Sequence, residues 1–193
     1  MAAHQDVALA VGGSNPLDHP KYMNEIIFRK AREKDLEKFY KFFSKSVKED
    51  FAKDFTSKTL DYFLKKVDTK ETIQKAIEEG YLSLALESDK IIGYLFVRKK
   101  PSGGVWFINW LAVDRNYRGK GIAGQLLTMV EMEGVRRGVH CLLLLAVQRN
   151  LNFYKNRGFT MLGRMLKGYY GQEDIYFYKI IQEPKEANYL KED

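Results

Sequence analysis

The spacing of apolar residues changes along the chain, and each change marks a different kind of element. Leu36, Phe39, Phe43 and Val47 recur at intervals of three and four, as do Leu60, Phe63, Leu64 and Val67. That period is one face of a helix. Asp68-Thr69-Lys70-Glu71 resembles a capping box ahead of Ile73, Ala76 and Ile77, with Gly80 as a stop. Ile26–Arg29 before these helices reads as a short strand. After Gly80 the pattern becomes that of strands: Tyr81–Glu87 and Ile91–Lys99 are apolar, β-branched and aromatic runs separated by Ser88-Asp89-Lys90, a hairpin signature. Pro101-Ser102-Gly103-Gly104 turns into a third strand, Val105–Val113. A helix follows over about Ile122–Arg137, with Ile122, Leu126, Leu127 and Val130 on one side and Gly138 at its end. Strand His140–Val147, a short helix near Leu151–Asn156, and strands Phe159–Leu166 and Ile175–Ile181 around a loop at Gly168–Asp174 complete the order. No internal repeat interrupts it.

The length of 193 residues favours one domain with a sizeable core. With 45% hydrophobic and 30% charged residues, the chain is neither a disordered tail nor a membrane protein. A net charge of +7 suits an anionic ligand such as a nucleotide, and equally nucleic acid. The lysines among the helical apolar positions alternate with acids, the pattern of a solvated face, so no nucleic-acid partner is expected. Cys141 is the one cysteine, which excludes an intrachain disulfide and suggests a reducing compartment. It opens the apolar run that includes Leu142–Val147, far short of the roughly 20 residues a bilayer span needs, so this reads as a buried strand and no membrane association is expected. No secretory signal is visible at the start, and a cytoplasmic location is the default expectation. Met1–Tyr22, without a sustained period, reads as an N-terminal extension or appended remnant; residues 23–183 form the expected domain and 184–193 a tail.

The most informative stretch is Asp114-Arg-Asn-Tyr-Arg-Gly-Lys-Gly-Ile-Ala-Gly124, between an apolar strand and an amphipathic helix. A helix start offers unpaired N–H groups and about half a positive charge, which suits a phosphate. Gly119 and Gly121 would let backbone approach the ligand, while Arg118 and Lys120 add charge. The same residues spell Gly119-x-Gly121-x-x-Gly124, a dinucleotide fingerprint. That reading fails, because Asp114–Arg118 separates the glycines from the strand and the next strand ends in Ala146-Val147-Gln148-Arg149 without the ribose-binding acid. A phosphate-binding P-loop fails too, since no Lys-Ser or Lys-Thr follows. A purely structural glycine turn remains the bland alternative.

Arg118-Gly-Lys-Gly121-Ile-Ala123, preceded by Trp110-Leu-Ala-Val113-Asp114, resembles the acyl-CoA signature of the GCN5-related N-acetyltransferase (GNAT) superfamily. Phe153-Tyr154-Lys-Asn-Arg-Gly158-Phe159 matches that family's second landmark, and the likeness runs from about Ile26 to Ile181. The resemblance implies an α/β (α+β) fold with a mixed, mostly antiparallel, splayed sheet flanked by helices. It also implies acetyl-CoA as cosubstrate, no metal, and direct attack of a primary amine on the acetyl carbonyl. By the family's pattern, Leu111, Ala112 and Val113 would pair with the pantetheine arm. Arg118, Gly119, Lys120, Gly121, Ile122, Ala123 and Gly124 would cradle the diphosphate. Tyr154 would stand beside the departing sulfur, as a hydrogen-bond or proton donor. Its alternative is a core tyrosine. Where many members carry Asn seven residues before that tyrosine, this chain has Val147; Asn150 and Asn152 lie nearer, and Asn150 is the first choice to reach the cofactor, against a helix-capping role.

No base stands out. Asn109 is the polar inner candidate of its strand, expected to face the substrate, while His140, Glu87, Glu173 and Asp174 have ordinary surface or strand-edge readings. A weak base suffices more readily for an α-amine, with pKa about 7.7–8.0, than for a lysine near about 10.4. Tyr169-Tyr170-Gly-Gln-Glu173-Asp174 also resembles the hairpin of RimI-like protein N-terminal acetyltransferases, in which the tyrosines help clamp a peptide. The expectation is therefore acetylation of a protein or peptide N-terminus by a monomer or homodimer. The rivals are a small-molecule amine substrate (amino acid, polyamine or aminoglycoside) and a non-catalytic acyl-CoA-binding module.

Overall fold

A computed structural model describes residues 25–98 and 103–189. The segment Met1–Tyr22, Pro101-Ser102 of the expected turn and the end of the tail lie outside the described residues. Seven strands form one sheet: β1 (Ile26–Lys30), β2 (Leu82–Glu87), β3 (Lys90–Arg98), β4 (Val105–Val113), β5 (Cys141–Ala146), β6 (Thr160–Met165) and β7 (Asp174–Ile180). Their spatial order is β1-β2-β3-β4-β5-β7-β6. Every neighbouring pair is antiparallel except β4–β5, which is parallel.

Helices cover the two faces unequally. Helices α1 (Leu36–Asp50), α2 (Ser57–Tyr62) and α3 (Lys70–Glu78) pack over the β1–β4 half. Phe39, Phe43 and Val47 of α1, and Ile73 of α3, meet Tyr94, Phe96 and Trp110 there in one apolar cluster. On the opposite face α4 (Ile122–Arg136) buries Leu126, Leu127 and Val130 against Leu142, Leu144 and Phe177, and α5 (Leu151–Lys155) adds Tyr154. The apolar run of β5 is thus buried only at alternate positions: Leu142, Leu144 and Ala146 lie under α4, while Cys141, Leu143 and Leu145 are half-buried. The first three helices do not extend over this half, which is why the expectation of a fully buried strand is only half met. A short α6 (Glu186–Tyr189) lies in the expected tail.

Two local irregularities shape the centre. The register of β3 on β4 shifts between Phe96↔Trp110 and Val97↔Ile108, leaving Asn109 as an extra residue, a β-bulge. Ile108 therefore joins the α4-side cluster while Trp110, two positions on, joins the other. An unbroken strand would put both on one face. The second is a π-turn at Phe63–Val67, closed by the Asp68 N–H donating to the Phe63 carbonyl at 2.7 Å. This turn corrects the expected capping box. Thr69, not Asp68, is the N-cap of α3, its side-chain oxygen accepting from the Thr72 N–H at 3.3 Å. Asp68 instead turns under the sheet.

Candidate active site

Parallel pairing of β4 with β5 runs only from Val105↔Cys141 to Ile108↔Leu144. Beyond the Asn109 bulge the strands part, and among the described residues no strand pairs with the remaining β5-side edge of β4. Leu111, Ala112 and Val113 lie on this open stretch. Below it lies the start of α4, whose N-cap Gly121 has no side chain to accept from the helix's first N–H groups. Gly119 and Gly121 have φ of 79° and 78°, left-handed backbone that a side chain would strain, and the space beside each is open. Gly124 has ordinary helical backbone, and a side chain there would meet the Arg157 guanidinium, the movable end of a long side chain. Ile122 is buried in the core and Ala123 packs against it, holding the turn to the sheet.

The charged members of the loop are engaged with the protein. Arg118 donates from Nε to the Val113 carbonyl at 3.0 Å and places Nη2 2.8 Å from Asp50, and Lys120 lies over the Tyr117 ring. Arg115 also pairs with Asp50, at 3.4 Å. Across the opening, Arg149 donates to both oxygens of Asp54 at 2.7 Å and to the Asp50 carbonyl at 2.8 Å. The segment after α1 is thereby strapped to the β4–α4 loop on one side and to the β5–α5 turn on the other.

Tyr154 sits just after β5, among Phe153, Phe159 and Phe177, and is 7% exposed. Burial pushes its phenol up to about 12, so it holds its proton at any ordinary pH. Among the described residues nothing hydrogen-bonds its hydroxyl. Asn150 begins α5 without making a side-chain cap, so its amide is not committed to the role that competed with ligand binding.

The bulge brings together residues from three separated segments. Asp68, only 2% exposed, accepts from Trp110 Nε1 at 2.8 Å and from Asn109 Nδ2 at 3.2 Å, with Arg98 Nη2 3.9 Å away. Burial raises its pKa, against the opposing pull of Trp110, Arg98 and Asn109. Because an ionised carboxylate only accepts, it takes the Asn109 NH2 and leaves the amide carbonyl of Asn109 free. Phe63 links this corner to the β6–β7 loop, with its ring 5.9 Å from Trp110 and 4.7 Å from Tyr170. Tyr170 also meets Phe55 and Tyr62. It holds φ of 58°, unusual for a residue with a large side chain, so packing fixes it in a strained conformation. Tyr169 remains largely exposed, and its N–H donates to Asp174 at 2.6 Å.

The three acids and the histidine considered from sequence lie elsewhere. Glu87 accepts from Tyr117, Glu173 pairs with Arg164 at 3.0 Å, and Asp174 holds the β6–β7 loop. His140 precedes β5 at the end remote from the opening. Asp68 was hidden because a carboxylate before Thr-x-x-Thr looks like a cap. Its position depends on a π-turn and a bulge that no periodicity announces.

The profile of the Acetyltransferase (GNAT) family matches residues 36–159. The chain belongs to that family. It is an acetyl-CoA-dependent N-acetyltransferase. Among solved structures it is similar to PaiA N-acetyltransferase from Thermoplasma acidophilum in complex with coenzyme A (TM-score 0.67, 19% identity, 80% of this chain and 98% of that one). It is also similar to Ard1 from Thermoplasma volcanium (0.61, 17%, 82% and 99%) and to an aminoglycoside 6'-N-acetyltransferase complexed with coenzyme A (0.63, 15%, 82% and 99%). These identities carry the fold and leave the acceptor undetermined. No curated protein matches the sequence. Among the described residues no helix of this acetyltransferase is long and apolar enough to cross a membrane.

Proposed function

We propose that the enzyme acetylates the α-amino group of a protein or peptide. The observation that carries this reading is the Tyr170 bridge: the β6–β7 loop meets Phe55, Tyr62 and Phe63 beside the bulge, and an open groove of about 430 Å³ leads outward from Tyr170 along α2. A narrow aromatic corner continued by an open channel suits an extended chain that enters amine first. Tyr169, on the same loop, would contact the residues behind the amine.

In this reading the cofactor lies along the open edge of β4. Leu111, Ala112 and Val113 would pair with the pantetheine arm, the N–H groups of residues 118–124 would take the diphosphate, and Asn150 would reach the arm from the other side. The thioester supplies the activated acetyl group. As the amine nitrogen bonds to the acetyl carbon and the carbon–sulfur bond breaks, the nitrogen sheds one proton to solvent and sulfur needs one, so a donor to sulfur is recharged from solvent. By the family's pattern Tyr154 would hydrogen-bond to the sulfur or protonate it; its phenol carries the proton at neutral pH, and the same burial makes it a weaker acid than a free tyrosine. The free carbonyl of Asn109 would accept an N–H of the incoming amine, with Asp68 holding the amide in that orientation and contributing negative charge.

A panel of peptides with free N-termini, run beside amino acids, polyamines and aminoglycosides and read by mass spectrometry, tests the acceptor. Acetylation of the peptides at the α-amine is the expected result. Acetylation of the small amines alone would replace this reading with the small-molecule one.

A further inference from the structure

The groove beside Tyr170 is lined by Lys58, Thr59, Asp61, Tyr62, Lys65 and Lys66. Its floor is aromatic and its rim carries three cations against one anion. That anion is already shared: Asp61 lies 3.3 Å from Lys48 and 3.4 Å from Lys65, and these lysines hold its carboxyl below the usual range. Lys58 and Lys66 pair with no acid among the described residues. Tyr62 and Tyr170 are 51% and 48% exposed, presenting flat apolar surface between the charges. Phe63 connects Tyr170 to Trp110, which donates to the buried carboxylate of Asp68. Asp68 and Trp110 thus lie buried behind the aromatic floor, and the groove itself offers rings and lysines.

We infer that this groove selects acceptors with negative charge in the residues that follow the amine. The inference rests on the peptide reading above and gives it a sequence preference. In the peptide reading the amine end of an acceptor lies toward Asn109, and aspartate or glutamate side chains one to a few residues further on meet Lys58, Lys65 and Lys66. A polycation such as a polyamine or an aminoglycoside would set its second and third charges against the same lysines. Exposed charge pairs are individually weak, so three together correspond to roughly a tenfold preference, strongly screened by salt.

The experiment uses the full chain with acetyl-CoA and three hexapeptides that share a first residue and carry Asp, Ser or Lys at positions two to four. The expected kcat/KM falls in the order Asp, Ser, Lys, with about tenfold between the first two at low ionic strength. Near 1 M salt that ratio should shrink towards one. Replacing the exposed rim as K58E/K65E/K66E should reverse the order while leaving the KM for acetyl-CoA unchanged. Peptides acetylated without regard to charge, or an order that survives the triple replacement, would overturn the selection while leaving the peptide reading intact. Acetylation of free small amines with no peptide product would overturn both.

Discussion

The two walls of the opening between β4 and β5 are made from different materials. The wall beside the start of α4 is mostly main chain: open amides, two left-handed glycines and the free edge of a strand, all within residues 111–124. The facing wall is mostly side chain, gathered from α2, the π-turn, the bulge and the β6–β7 loop. A backbone site binds what any sequence with the right turns would bind, which suits a ligand common to the whole family. A side-chain site can be altered one residue at a time, which suits an acceptor that differs from member to member.

That division can be broken at either wall. The largest effect is expected from Gly121→Val, which forces a β-branched residue into left-handed backbone and blocks the first amides of α4. The KM for acetyl-CoA should rise roughly a hundredfold with the acceptor KM little changed. A comparable rise in the acceptor KM would show that the walls are not separable. Tyr154→Phe should lower kcat by more than about tenfold with acetyl-CoA affinity, measured by calorimetry, nearly unaltered. Unchanged turnover would remove the phenol from the mechanism.

Asp68→Asn comes next, with about a tenfold loss in kcat/KM for the amine and no loss of cofactor binding. Its stability signature has a defined sign. The folded pKa of Asp68 is raised above the unfolded value, so its favourable contribution is full below the ordinary carboxylate pKa and is lost as pH rises through the folded one. The Tm of the variant minus that of the parent should therefore increase as pH climbs from below about 4. A variant that loses activity and stability together at neutral pH would mark Asp68 as a structural prop. The smallest effect is expected at the strap: Asp50→Asn frees Arg115 and Arg118, and acetyl-CoA affinity should improve by about two- to fivefold at low salt. An unchanged affinity would show that these arginines do not face the cofactor.

The same division governs how much the sequence could reveal. The glycine loop was legible because its parts are consecutive and its chemistry depends on where Cβ atoms are missing. Strand and helix order was legible from the apolar pattern, since β2, β3 and β4 are apolar runs buried on both faces while α4 repeats at helical spacing. Asp68 was misread because capping is a local rule that Thr69 satisfied first. Its meeting with Asn109 and Trp110 joins positions about forty residues apart and depends on two irregular turns. The engagement of Arg118 with Asp50 was likewise invisible, because charge spacing says nothing about which acid a loop will find.

Asn109 has one more consequence. It is the residue by which β4 outruns its neighbour, and it decides to which layer everything after it belongs. Deleting a single codon here would send the Trp110 indole toward α4 and strip Asp68 of its Asn109 and Trp110 donors. A lesion that small would also exchange the layers of Ala112 and Val113, forcing both cores to repack around the end of β4.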